Sequence, residues 1–222
     1  MPFCTLPGKP TKPALLNAYT ILSRACESAQ SFFDAFGKVR QARNAKGTPT
    51  DHEQDLLRAA LIFAAAGLDS MVKQLVRDTL RTVLSREKGA KLQFADYVQT
   101  RLRRKDPIDL KYLAETLVSD KPFEHLSGEL LRELTSSSLQ SKDQLLSVAA
   151  YFAIPADEIS AKPTELKEVF DVRNQIAHEM DIQFRQANRS RRSRTFDDMT
   201  RYTSIVLTAA VSFYVAVEKR LL

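Results

Sequence analysis

Arg173, Asn174 and His178 are spaced so that three groups suited to handling phosphate esters can converge on one helix. The stretch reads Phe170-Asp171-Val172-Arg173-Asn174-Gln175-Ile176-Ala177-His178-Glu179. At about 100° per residue, Val169, Val172, Ile176 and Met180 fall on one apolar stripe, and Asn174 and His178 share a face turned away from it. Arg173 stands about 140° round from His178; its long side chain can curl toward the same groove, or His178 can lie where the helix unwinds. A neutral imidazole takes a proton from a ribose 2′-hydroxyl, and an imidazolium returns one to a leaving oxygen. A guanidinium grips phosphate through paired N–H groups and neutralises charge developing on it. An asparagine orients either of them by hydrogen bonding. This chemistry calls for no metal and no cofactor. The same R-N-x-x-x-H pattern also fits a solvated helix surface on which the histidine has no role, and spacing alone does not separate the two.

Long helices must position this trio. Residues 1–12 are expected to form an arm, either flexible and disordered or draped over the bundle, and Pro13 suits the first turn of a helix after it. From there Leu15, Tyr19, Leu22, Cys26, Ala29, Phe33 and Phe36 follow a 4-3-4-3-4-3 spacing, an apolar seam on one face. Gly47-Thr48-Pro49 ends that unit, and Thr50 with Glu53 forms a capping box that opens a second long helix to about Ser85. Its alanines at 59, 60, 64, 65 and 66 permit close approach, which predicts an antiparallel helix hairpin. Shorter helices are expected over about 92–104, 108–118, 122–136 and 141–153, broken at Asp106-Pro107, Lys121-Pro122 and Ser136-Ser137-Ser138. One from Pro163 carries the trio, and a final helix covers about 195–220. The expected fold is all-α, a helical bundle forming a single domain over 1–222.

Composition narrows the chemistry further. Six glycines in 222 residues, with neither G-x-G-x-x-G nor G-x-x-x-x-G-K-[ST], speak against glycine-rich phosphate loops. Three histidines and two cysteines make a metal-centred enzyme hard to build. Cys4 and Cys26 form no C-x-x-C pair, and the expectation is two free thiols in a reducing compartment, hence a cytoplasmic protein. The beginning has no apolar secretory core. Ile205–Val217, the most apolar stretch, is short of the ~20 residues of a membrane span and reads as a core helix. The formal net charge of +6 permits a polyanionic partner without demonstrating one.

RNQIAHE resembles the signature of the HEPN superfamily, R-x(4–6)-H with a polar residue directly after the arginine. SSLQSKDQLLSVAAYFAIPADEI, LKEVFDVRNQIAHEMDI and the apolar last helix are similar to the RiboL-PSP-HEPN branch, as is ALIFAAAGLDSMVKQLVRDTL with its A-x-L-D segment. The resemblance spans about 50–222 and is strongest from 136 to 184; 88–135 and the first 45 residues are not matched. It implies an all-helical bundle and, in active members, a metal-independent endoribonuclease, generally a homodimer with the motif helices of two subunits facing one cleft. Arg173 and His178 would then be the catalytic pair and Asn174 the adjoining polar residue. Relatives commonly serve as toxins or effectors in toxin–antitoxin, abortive-infection and antiviral systems, which would add a cognate antitoxin or sensor protein to RNA as partners. Asp171 departs from residues common in relatives at that place. Some members are non-catalytic binding modules.

Secondary candidates surround the motif. Arg185, Arg189, Arg191, Arg192 and Arg194 place five arginines within ten residues, and Arg101, Arg103, Arg104 and Lys105 form another basic run. Either is a solvated face or a set of RNA phosphate contacts; no interleaved aromatics suggest base stacking. Asp69 is either an acid of the active-site cleft, as the resemblance implies, or a helix-face carboxylate paired with Lys73 at i+4. His52 and His125 read as surface residues near helix starts. A DNA-binding regulator is the weakest reading, since no short helix-turn-helix is evident.

Overall fold

Pro13 opens α1 (Pro13–Ala42), where its ring sets φ and its missing N–H removes a donor that the first turn would leave unpaired. In the computed structural model, which describes residues 5–44, 46–103, 110–139 and 141–222, eight more helices follow. They are α2 (Asp51–Arg86), α3 (Lys88–Arg103), α4 (Leu110–Val118), α5 (Pro122–Ser136), α6 (Lys142–Tyr151), α7 (Ala156–Ile159), α8 (Pro163–Glu179) and α9 (Phe196–Arg220). The one-turn α7 was not expected. Among the described residues the only β pairing is an isolated Ile182–Arg191 bridge, so the chain is all-α. Cys4, Arg104, Lys105 and the Asp106-Pro107 break lie outside the described residues.

Both halves of the Thr50–Glu53 capping box are made. The Thr50 N–H donates to Glu53 at 2.7 Å, and that bond holds the buried Glu53 carboxyl below its ordinary pKa. Arg40 and Arg43 then pair with Glu53 across the turn. At the other end, Asn17 reaches Asp78. These contacts fix α1 and α2 as an antiparallel hairpin. The buried seam of α1 is Leu15, Ala18, Leu22, Ala25, Ala29, Phe33 and Phe36; Ala18 and Ala25 replace the expected Tyr19 and Cys26, which are partly buried. Small residues face α2 because the helices nearly touch: a Cβ on Gly67 would stand 2.2 Å from Cβ of Ala25. Alanine is favoured over glycine inside a helix by about 1 kcal/mol, but overpacking here costs about 1–3 kcal/mol. Gly67→Ala is therefore expected to lower the urea midpoint; a raised midpoint would contradict this packing.

α9 is the third long element of the core. Phe196 at its start meets Phe33 and Phe36 near the end of α1, and Tyr214 meets Tyr19 near its beginning. α9 thus runs antiparallel to α1 and alongside α2. By length and composition α2 and α9 could each cross a membrane, yet about half of each apolar window is buried inside the bundle, at 50% and 56%.

The arm is draped. Pro10 is buried, Leu6 packs on the core, and Lys12 Nζ donates to the Leu221 carbonyl. Cys26 is disulfide-bonded, which corrects the expectation of a free thiol.

Candidate active site

α8 carries the motif and is packed against α2, α6 and α9. Leu166, Val169, Phe170, Val172 and Ile176 are its buried residues. Tyr202 and Arg201 of α9 hold its outer side through Glu168, at 2.7 and 3.2 Å. Met180, expected on the apolar stripe, is 64% exposed. The reason is local: the helix stops at Glu179, and Met180 turns left-handed at φ 52°.

On this scaffold His178 is exposed in the last helical turn, opposite the buried stripe. Asn174, one turn earlier, is half-buried. Arg173 is half-buried too, and its Nη1 reaches round the helix to donate to Asn174 Oδ1 at 3.0 Å. That contact carries the guanidinium from the edge of the stripe toward the face shared by Asn174 and His178.

The end of the motif helix rests on a buried ion cluster that sequence reasoning missed. Asp181 is fully buried, with φ 61°. Arg194 grips its carboxylate bidentately, Nε to Oδ2 at 2.9 Å and Nη2 to Oδ1 at 2.5 Å. Arg58, near the start of α2, adds Nε to Oδ2 at 2.9 Å. The Asp181 N–H donates to the Gln175 carbonyl at 2.9 Å, and Arg194 Nη2 donates to the Gln175 side chain at 2.9 Å. Backbone and side chains thus clamp the last turn together. The clamp sustains two successive left-handed residues, of which methionine has neither glycine's freedom nor a short polar side chain. A usable signal was present: one acid directly after the motif, ahead of five arginines.

The arginine segment divides under this geometry. Arg191 pairs with Asp55 at 2.7 Å and donates to the Met180 carbonyl. Arg192 pairs with Glu179 at 3.2 Å and donates to the Ile182 carbonyl at 2.8 Å. Burial alone would raise the Asp55 pKa, but hydrogen bonds from Arg191 and Arg58 outweigh it and lower the value. Arg191, Arg192 and Arg194 therefore build the loop after the motif, with their charge already matched by carboxylates. Arg185 and Arg189 remain exposed on that loop. Asp69 pairs with Lys73 at 2.9 Å and accepts the Leu139 N–H at 2.8 Å. Those bonds anchor the segment before α6 to α2, and none of them goes to Arg173, Asn174 or His178.

A family model described as RiboL-PSP-HEPN matches residues 26–218, a span that contains every residue named above for the site. The chain belongs to the RiboL-PSP-HEPN family. The match takes in 88–135 and much of α1, which the sequence resemblance left unassigned. No curated protein and no solved structure matches the chain. HEPN membership places the protein among RNA-related proteins, many of them ribonucleases, and HEPN domains often dimerise. Among the described residues, no three histidine, cysteine, aspartate or glutamate side chains are grouped to hold a metal ion.

Proposed function

We propose that this HEPN protein is a metal-independent endoribonuclease acting on single-stranded or loop RNA. The observation that carries the reading is the arrangement on α8: an exposed imidazole, an amide one turn away, and a guanidinium drawn to that amide. In the reaction His178 removes the proton from a ribose 2′-hydroxyl. The freed oxygen attacks the adjacent phosphorus while the bond to the 5′-oxygen breaks. The leaving 5′-oxygen takes a proton from water and the imidazolium returns its own to solvent, so the products are a 2′,3′-cyclic phosphate and a 5′-hydroxyl. Arg173 stabilises the extra charge on the phosphoryl oxygens, and Asn174 holds Arg173 in place.

A single chain leaves His178 open to water. We propose a homodimer that closes the cleft, supported by Met180 and Phe184, 64% and 61% exposed directly after the motif. Methionine and aromatic residues are enriched at such interfaces. A role as a toxin or defence effector, with a cognate antitoxin or sensor, follows from the superfamily's habits. Purified protein incubated with RNA in EDTA is expected to cleave it fully and to leave 5′-hydroxyl ends. A strict requirement for a divalent ion would sink the mechanism. Retained RNA binding without cleavage would favour a non-catalytic HEPN module instead.

A further inference from the structure

A second basic surface lies on α2 and α5, away from the arginine segment that follows the motif. Arg77 and Arg81 stand one turn apart on α2, and His125 and Arg132 face them from α5 across a groove of about 480 Å³. Arg58, the α2 residue of the Asp181 clamp, is 19 residues before Arg77; at 1.5 Å per residue the groove opens roughly 28 Å along the helix from that clamp. All four basic side chains are exposed. Arg81 Nε donates to Ser127 Oγ at 3.2 Å, a neutral partner. It lies across α5 because Gly128 has no side chain there: a Cβ would stand 3.3 Å from Arg81 Nη2. The lining contains one carboxylate, Glu124, which pairs with Lys121 at 3.1 Å. Arg77, Arg81 and Arg132 form no ion pair among the described residues, unlike Arg191, Arg192 and Arg194, whose charge is matched.

Three converging guanidinia that no carboxylate pairs form a receptor for phosphate oxygens, since the planar fork matches their geometry. We propose that this groove binds the phosphodiester backbone of the RNA on which the motif acts, gripping the strand at a distance from the cleavage point. The inference rests on the proposed action on RNA. At about 3.4 Å per stacked nucleotide, roughly eight nucleotides span the distance from clamp to groove, so a long strand engages both places at once.

The test measures binding of a 30-nucleotide single-stranded RNA by fluorescence anisotropy over a range of salt, in the full-length His178→Ala protein to prevent cleavage. Each phosphate contact on a single strand contributes about 0.7 to the slope of log affinity against log salt. Arg77→Gln, Arg81→Gln and Arg132→Gln together are expected to reduce that slope by about 2 and to weaken binding at least tenfold at low salt. An unchanged slope and affinity would overturn the groove while leaving RNA as the ligand. Displacement of the RNA by polyglutamate at equal charge concentration would overturn it in favour of an acidic protein partner. No RNA binding even with the groove intact would overturn both the groove and the reading on which it rests.

Discussion

His178→Ala is expected to slow RNA cleavage by about 100- to 10,000-fold, the range that a positioned proton carrier contributes, with no loss of the fold. His178 is exposed in the last turn of α8 and is not among its buried residues, and surface substitutions change stability by about 0.5 kcal/mol or less. Arg173→Ala is expected to lose about 100- to 1,000-fold, comparable to removing one donor that stabilises charge in the transition state. Arg173→Lys keeps the charge but not the fork that reaches both phosphate and Asn174, so it should recover only part of the rate. Single-turnover cleavage of a labelled RNA, beside thermal unfolding of each variant, checks these effects. If His178→Ala cleaves at the wild-type rate, another group moves the proton and the mechanism fails.

Asp181→Ala has the largest expected effect on stability, about 3–5 kcal/mol, because it removes the buried carboxylate at which Arg58 and Arg194 meet, leaving Arg58 with only the part-exposed Asp55 and taking from Arg194 its ion-pair partner. Asp55→Ala is the contrast. Asp55 also pairs with Arg58 and with Arg191, but it is 46% exposed, and exposed pairs contribute about 0–1 kcal/mol. Urea denaturation of the two variants separates these values. Equal losses would mean that Asp181 is no more important than a surface acid. The Asp181 variant should also weaken cleavage out of proportion to its unfolded fraction, since the Asp181 carboxylate fixes the Arg194 side chain that holds Gln175, within the motif.

Much of this was legible in the sequence because it rests on local rules. The capping box at Thr50–Glu53, the proline at the start of α1 and the face shared by Asn174 and His178 each follow from residues within a few positions of one another. The family, too, was readable from 136–184. What escaped depended on distant parts of the chain. Met180 continues the apolar stripe on a helical wheel, yet a left-handed turn takes it to the surface. Arg191 and Arg192 look like free positive charge until Asp55 and Glu179 are brought beside them. Cys26 looks like a free thiol in the sequence, yet it is disulfide-bonded. In each case periodicity describes one helix, whereas the outcome is set by a neighbour that periodicity cannot name.

The clamp at Asp181 also orders events in time. Its partners are far apart in the chain: Arg58 lies 123 residues before Asp181, and its Nη2 donates to the carbonyl of Arg192, 134 residues on. Contacts closing such long loops form late in folding. A growing polypeptide can build the α1–α2 hairpin early, but the turn after His178 has no anchor until Arg194 has left the ribosome. The last turn of the motif helix is therefore fixed only after the chain has been made as far as Arg194. For the ribonuclease proposed above, this order of events would hold the motif helix unfinished until Arg194 has emerged.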